Sequence, residues 1–262
     1  MSGTPTEAGL SRPAAAFDWL GRFVFRFRDY LLPAGFFVAL VLAPPRAPFG
    51  SARLDLVLDV IGVIVAAVGQ TLRVAVIGYA YIERGGAGKK LSAPRLVCEG
   101  FYAHCRNPMY AGNFLLLTGL ALIYNSLFVY ALLLPVLVFG VYAIIKAEER
   151  FLAERFGAEY DAYCRQVPRF VPRLRGLGKT LEGMRFDWRR VLRKEYGTTF
   201  AWLSGAFALM AWERIVRLGW ADSVPELRVL AALYLPIPVL WGTVRWLKKS
   251  HRLDSPEHIT PP

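Results

Sequence analysis

The residues best suited to chemistry lie in a polar, aromatic stretch that leads directly into an apolar helix. This stretch is Glu99–Asn113 and reads EGFYAHCRNPMYAGN. Asn107 is a favourable N-cap residue and Pro108 suits the first helical position. The stretch therefore ends where a helix presents free backbone N–H groups, and such a point attracts anions. The polar and aromatic candidates within it are Tyr102, His104, Arg106, Asn107 and Tyr110.

A pair of adjacent acids, Glu148 and Glu149, forms a second candidate cluster at the end of a later apolar segment. Together the two clusters suit a zwitterionic ligand, with its carboxylate near Arg106 and its ammonium at a glutamate. Adjacent helical residues point about 100° apart. We therefore expect only one of the two acids to face a ligand squarely, while the other pairs with a basic neighbour. The alternative, which periodicity alone favours, is that both acids simply neutralise the basic loop.

The composition indicates a membrane protein. The chain of 262 residues is 55% hydrophobic and has a mean hydropathy of +0.35, which is too apolar for a typical soluble domain. A net charge of +12 in such a protein marks cytoplasmic loops and anionic headgroups, so no nucleic-acid partner is expected. The three cysteines lack the spacing of a disulfide framework or a zinc site, so they are interpreted as reduced thiols and no metal site is predicted.

Six apolar segments predict an all-α, polytopic helical membrane protein. Only Asn125 and Ser126 separate the third segment from the fourth, which predicts a tight helical hairpin that returns the chain to the membrane face it left. The stretches around Arg106 and Glu148 should therefore lie on the same face. The predicted spans are Tyr30–Ala43, Leu54–Tyr81, Pro108–Tyr124, Leu127–Ile145, Thr199–Leu218 and Arg228–Leu247, with an interfacial amphipathic helix over Phe17–Arg28 before the first.

The distribution of basic residues predicts the orientation. Most of the 32 Lys and Arg residues fall in the N-terminal segment, the 79–111 and 146–198 loops and the tail. This asymmetry predicts that both termini and the candidate site face the cytoplasm. Arg73 lies within the second span, where it either snorkels to the headgroups or has a direct role. Glu213 and Arg217 are four residues apart and are expected to pair along the fifth span.

Five short motifs, taken in order, resemble a known family. The chain carries GFY at Gly100–Tyr102, RNPMYAG at Arg106–Gly112, EERFL at Glu148–Leu152, FGAEYDAY at Phe156–Tyr163 and RFVP at Arg169–Pro172. Their order and spacing resemble the isoprenylcysteine carboxyl methyltransferase superfamily, which includes the phospholipid N-methyltransferases. The resemblance covers roughly residues 55–173, and the last two predicted spans lie outside it.

The resemblance implies an integral-membrane methyltransferase that uses S-adenosylmethionine at the cytoplasmic face to modify a lipid or lipidated small-molecule acceptor. By position, Arg106, Asn107, Pro108 and Tyr110 correspond to the cofactor motif of the family, Glu148 and Glu149 to its acidic pair, and Tyr102 to the aromatic of its Gly-x-Tyr segment. Asn107 stands where the prenylcysteine enzymes have histidine, which counts against a prenylcysteine acceptor. A carboxylate acceptor would need no base, and no residue is assigned as a catalytic base.

The same reading divides the chain into three parts. Residues 1–29 form a tail with the interfacial helix, 30–185 the methyltransferase core, and 186–262 a C-terminal pair of transmembrane helices with its tail. Two other functions remain open at this stage. One is a membrane reductase of the sterol-reductase type that uses NADPH, since such enzymes resemble the same superfamily. The other is a scaffold or transporter in which the motifs serve the structure alone.

Overall fold

The computed structural model describes residues 51–79, 93 and 95–253, together with Phe23, Ala34, Val38 and residues 43–45. The predicted interfacial helix and almost all of the first predicted span lie outside this part of the chain. The described residues are all-α and contain no strand. Within this part of the chain, three helical stretches are long and apolar enough to cross a membrane, namely Ala52–Tyr79, Val129–Phe156 and Trp220–Lys249. The fold is therefore that of a helical membrane protein, as predicted.

Eight α-helices follow one another within the described residues. A 3₁₀ turn at Gly100–Ala103 precedes the second helix, and a π-helical turn at Val129–Leu133 leads into the third. The helices are α1 (Ala52–Tyr79), α2 (Pro108–Tyr124), α3 (Leu134–Phe156), α4 (Ala158–Gln166), α5 (Leu177–Glu182), α6 (Trp188–Leu218), α7 (Trp220–Tyr234) and α8 (Pro236–Lys249).

The predicted helical hairpin is confirmed. α2 has the bounds predicted for the third span, and Asn125 ends it in the left-handed conformation with φ 47°. The predicted fourth span was too short, because the helix runs on without a break to Phe156. α6 begins eleven residues before the predicted fifth span, at Trp188, because the Asp187 side chain accepts a hydrogen bond from Arg190 N at 2.9 Å and caps this helix.

The predicted sixth span lies within the apolar helical stretch Trp220–Lys249, but this stretch starts earlier than predicted and is divided in two. Helical structure begins at Trp220, eight residues before the predicted Arg228, and two helices meet at Leu235. Pro236 explains the division, because its ring nitrogen has no hydrogen to donate to the carbonyl one turn earlier. The predicted second span, Leu54–Tyr81, agrees better with the structure, since α1 begins at Ala52 and its last described residue is Tyr79.

Glycines bring α1 and α2 into backbone contact. A Cβ atom placed on Gly119 would lie 2.5 Å from Gly62 O, and one on Gly69 would lie 2.7 Å from Gly112 O. Small residues allow helices to approach this closely, and such contacts replace the hydrophobic driving force that lipid does not supply. The glycine of the RNPMYAG motif therefore has a packing role, because it lets α1 cross α2 just beyond the candidate site.

A buried ion pair joins α6 to this helix pair. Arg73 on α1 places Nε 2.6 Å from Glu195 Oε1 and its NH2 nitrogen 2.8 Å from Glu195 Oε2, and its other terminal nitrogen donates to Asn113 Oδ1. Gln70 Nε2 also donates to Glu195, at 3.2 Å. Arg73 and Glu195 are both buried. The snorkelling interpretation of Arg73 is therefore wrong, and its charge is neutralised inside the helix bundle.

Candidate functional site

The loop before α2 is held in place by the segment that carries the RFVP motif. Arg106 N donates to Pro168 O at 2.9 Å, and Arg173 N donates to His104 O at 3.0 Å. Between them the Cys105 thiol lies 3.3 Å from Phe170 O. These contacts join residues about 65 positions apart in the chain, so the loop at the start of α2 is fixed by tertiary structure and not by its own sequence.

Two motif glycines adopt backbone conformations that other residues rarely reach. Gly100, which opens the 3₁₀ turn of the GFY motif, has φ 57°. Gly157, in the FGAEYDAY motif, has φ 50° and separates α3 from α4. A side chain at either position would be strained. These turns direct the 3₁₀ segment and α4 toward the same loop, and Tyr163 of α4 donates to Tyr102 O at 2.8 Å.

Glu149 is the centre of the charged cluster. Arg169 places Nε 3.0 Å from Glu149 Oε1 and a terminal nitrogen 2.8 Å from Oε2, which is a two-point contact. Asn107 Nδ2 donates to Oε1 at 3.2 Å, and Arg106 NH1 lies 3.4 Å from the same oxygen. Glu149 is buried. The prediction that one of the two acids pairs with basic neighbours is confirmed, and Glu149 is that acid.

Arg106 has a buried donor without a partner among the described residues. Its NH1 nitrogen lies near Glu149 and also 2.9 Å from Cys164 Sγ, while Nε is buried and has no hydrogen-bond partner among the described residues. Burial, the largest influence, lowers the pKa of the guanidinium, but Glu149, Cys164 and Tyr160 together raise it by more, so the group stays protonated. A buried donor without a partner is costly, and an anion at this position would satisfy it.

Glu148 has different surroundings from its neighbour. It is half-buried, and one of its oxygens accepts a hydrogen bond from Tyr110 OH at 2.8 Å. No basic side chain of the described residues forms an ion pair with it. Glu148 is therefore the acid of the pair that remains open to a cationic group.

The remaining predicted site residues lie around this cluster. Asn107 occupies the N-cap position and Pro108 the first turn of α2, but the expected side-chain cap does not form, because Asn107 Nδ2 donates to Glu149 and to Arg169 O instead. Tyr102 and Tyr110 are buried. Both ring nitrogens of His104 have other partners, with Nδ1 2.7 Å from Arg173 O and Nε2 2.9 Å from Thr180 Oγ1, so it joins the loop to α5.

Residues of α4 and the RFVP segment complete the site and were not assigned to it from the sequence. Arg169, Cys164 and Tyr160 surround the Arg106–Glu149 pair. Burial raises the pKa of the Tyr160 hydroxyl, and the charge of Glu149 raises it further, so the hydroxyl stays neutral. The only signal for Arg169 was its place in the closing motif. Phe170 beside it stacks edge-on against Phe114 of α2, with ring centroids 5.9 Å apart.

Comparison with known proteins identifies the family. Residues 58–159 match the family model described as phospholipid methyltransferase. Protein-S-isoprenylcysteine O-methyltransferase of Schizosaccharomyces pombe is 32% identical over 87 residues, which are 33% of this chain and 36% of the relative. The chain belongs to the isoprenylcysteine carboxyl methyltransferase and phospholipid methyltransferase superfamily. This membership supports a membrane methyltransferase and favours neither the reductase nor the scaffold.

Two further relatives have names that give no reaction. The cobalt-zinc-cadmium resistance protein CzcN of Cupriavidus metallidurans is 32% identical over 181 residues, which are 65% of this chain and 76% of the relative. The nickel-cobalt-cadmium resistance protein NccN of Alcaligenes xylosoxydans xylosoxydans is 35% identical over 88 residues, or 34% of this chain and 40% of the relative. No solved structure matches the chain.

Proposed function

We propose that this membrane methyltransferase binds S-adenosylmethionine at the Arg106–Glu149 cluster, on the cytoplasmic face, and methylates a lipid-like acceptor held in the membrane. The observation that carries the proposal is the unused, buried Nε of Arg106 at the start of α2. It offers a charge-assisted hydrogen bond to the carboxylate of an amino acid. Glu148, half-buried and outside the ion pairs of its neighbour, would hold the ammonium group.

The charges of the cluster match such a ligand. Glu149 lies between two guanidinium groups, those of Arg106 and Arg169, so this part of the site carries a surplus positive charge beside the negative Glu148. A positive and a negative group in one place are complementary to the two ends of an amino-acid moiety. NADPH, by contrast, would bring several negative phosphate charges close to Glu148.

S-adenosylmethionine, when bound, supplies a methyl group that a sulfonium has already activated for transfer. The protein then has to orient the partners and exclude water more than move a proton. Arg106 and Glu148 would fix the amino-acid end. The aromatic faces of Tyr110 and Phe170, which lie with Phe114, Val141 and Ile144 where the site meets the apolar helices, would favour a cation and exclude water.

The position of the site suggests how the acceptor arrives. Tyr110 belongs to α2, which continues from the charged cluster as an apolar helix. An acceptor in the bilayer would reach the methyl group sideways, while the cofactor enters from the cytosol. We further propose that residues 186–262, which the matched family segment does not include, shape acceptor access and leave the binding of the cofactor to residues 30–185.

Calorimetry of the detergent-purified protein tests the cofactor. S-adenosylhomocysteine should bind and NADPH should not. Arg106→Lys keeps the charge but loses the Nε donor, and Glu148→Gln loses the charge. Each change should weaken S-adenosylhomocysteine binding by about 10- to 100-fold, because a hydrogen bond to a charged group contributes about 1.5–3 kcal/mol.

Arg95→Lys is the matched control for this experiment. Arg95 lies before the same loop and is exposed, and within the described part of the chain its ion pair is with the exposed Glu99, at 3.6 Å. Its replacement should leave binding unchanged. Equal effects at all three positions, or binding of NADPH in place of S-adenosylhomocysteine, would contradict the proposal.

A further inference from the structure

A second charged cluster lies at the opposite end of α1 from the candidate site. Asp55 and Asp59 are one turn apart near the start of α1, and Glu213 faces them from the last turns of α6. Each of the three carboxylates brings one oxygen to within 4.8 Å of the other two. The cluster is shielded from solvent, since Asp59 is 4% exposed and Glu213 is 0% exposed.

Two arginines of α6 neutralise part of this charge. Arg217 contacts Asp55 and lies 2.8 Å from Glu213 Oε1. Arg214 lies 3.4 Å from Asp59 Oδ2 and 3.1 Å from the partly exposed Glu226 of α7. The predicted pairing of Glu213 with Arg217 along the helix is therefore confirmed, but it is one contact of a larger network.

The network leaves two buried carboxylate oxygens without a partner. Asp59 Oδ1 and Glu213 Oε2 accept no hydrogen bond from any described residue. By contrast, the second oxygen of Asp55 is satisfied, because Asn125 Nδ2 of the hairpin turn donates to Oδ1 at 3.0 Å. Burying an ionised carboxylate oxygen without compensation is strongly unfavourable.

The charges of the network also leave negative charge uncompensated. Four carboxylates take part, the buried ones of Asp55, Asp59 and Glu213 and the exposed one of Glu226, and in the described part of the chain the cationic groups facing them are the guanidinium groups of Arg214 and Arg217. With every group ionised, the network carries two surplus negative charges among the described residues. One divalent cation would neutralise them and would also bind the two unpartnered oxygens.

We propose that Asp55, Asp59 and Glu213 bind a hard divalent cation between the start of α1 and the end of α6. Oxygens that each lie about 2.4 Å from one ion are at most about 4.8 Å apart, and the three carboxylates each offer an oxygen within that limit. A site made only of carboxylates suits Ca²⁺, Mn²⁺ or Mg²⁺ better than softer metals. Sequence reasoning missed this site because it considered cysteine spacing, whereas Glu213 lies about 155 residues beyond the two aspartates in the chain.

Titration of the detergent-purified protein with Mn²⁺, followed by electron paramagnetic resonance, tests the proposal. The wild-type protein should bind one Mn²⁺ per chain, and Ca²⁺ should displace it. Asp59→Asn and Glu213→Gln each remove one ligand charge with little change of shape. Either change should weaken Mn²⁺ binding at least tenfold and abolish the rise in thermal midpoint that Mn²⁺ gives the wild type.

Asp222→Asn is the matched control, because Asp222 is an exposed acid of α7 outside the network. It should bind Mn²⁺ as the wild type does. Absence of stoichiometric binding to the wild-type protein would overturn the proposal whether or not the variants fold, and would mean that a proton shared between carboxyl groups balances the charge. Equal weakening by all three substitutions would also overturn it, since binding would then reflect general surface charge.

Discussion

Glu148 and Glu149 are neighbours in the chain, but their surroundings differ, so replacing each one should affect stability differently. Glu149 is buried between Arg106 and Arg169, whereas Glu148 contacts Tyr110. Replacing Glu149 by Gln leaves two guanidinium groups facing a neutral side chain, and breaking a buried ion pair costs about 3–5 kcal/mol. We predict that Glu149→Gln lowers the thermal midpoint of the purified protein markedly, while Glu148→Gln leaves it within a few degrees of the wild type.

Thermal unfolding in detergent, paired with calorimetry, measures this difference. Glu148→Gln should weaken S-adenosylhomocysteine binding at an unchanged midpoint. Adding the ligand to Glu149→Gln should not restore the wild-type midpoint, because the lost contacts hold the loop itself. A result in which Glu149→Gln is as stable as the wild type would show that the two arginines do not depend on this acid.

The sequence correctly predicted the contacts between residues that depend on the helical hairpin. A two-residue turn between two apolar helices was enough to bring Arg106 and the acids to one place. The sequence did not predict the contact of Arg169 with Glu149, because that contact requires the chain to turn at Gly157 and the RFVP segment to run beside the loop. Nor could it separate the roles of the acids, since their difference arises from side chains about 20 and 40 residues away.

At the scale of elements, the contact of α1 with α2 depends on the absence of side chains at the glycine positions. A Cβ atom on Gly119 would meet Gly62 O and Ala66 N, which are backbone atoms and cannot move aside without moving the helix. We predict that Gly119→Ala destabilises the protein by about 1–3 kcal/mol. Thermal unfolding in detergent should detect this as a lower midpoint.

Gly197→Ala supplies the matched control for that substitution. Gly197 lies inside α6, and a Cβ atom there would meet nothing within 4 Å. Alanine is the better helix former by about 0.5–1 kcal/mol, so this variant should be as stable as the wild type or slightly more so. If both alanine variants had the same midpoint, the close crossing of α1 and α2 would not limit stability.

The sequence predicted which helices exist better than it predicted where they begin and end. Local features, namely caps and turns, explain the difference. Hydropathy detects the apolar part of a helix, but caps and turns set where it begins and ends. Asp187 starts α6 in a polar region, and Gly157 ends α3 eleven residues beyond the predicted end of the fourth span. Polar helix extensions of this kind leave no trace in an apolar pattern. The α2 bounds were right because Pro108 and Asn125 mark both ends.

At the scale of the whole molecule, the proposed division at residue 185 separates proposed functions, but the two parts are packed together. Buried ion pairs cross it, because Arg73 of α1 binds Glu195 and Asp55 of α1 binds Arg217. A chain that ended near residue 185 would leave Arg73 buried without its acid. We predict that such a truncation fails to give monodisperse protein in detergent, as size-exclusion chromatography would measure.

The same ion pair can be tested by substitution. Arg73→Met combined with Glu195→Leu removes both charges, so by the same measurement the double variant should give more monodisperse protein than either single variant.

The orientation of the chain is open to a direct test, because exposed positions lie both at the hairpin turn and beside the candidate site. Leu127 follows the hairpin turn and is 81% exposed, while Val171 lies in the RFVP segment beside the candidate site and is 78% exposed. A cysteine at each position, placed separately in a chain lacking Cys98, Cys105 and Cys164, would report the side of the membrane on which it lies.

The charge asymmetry predicts opposite results at these two positions. A membrane-impermeant maleimide added to intact cells should label Leu127→Cys and leave Val171→Cys unmodified, and lysis should expose Val171→Cys. The physical reason is that the basic residues around the candidate site are retained in the cytoplasm, whereas the hairpin turn carries no basic side chain. The reverse pattern would place the Arg106–Glu149 cluster outside the cell, away from the cytosolic supply of S-adenosylmethionine, and would contradict both the orientation and the proposed cofactor.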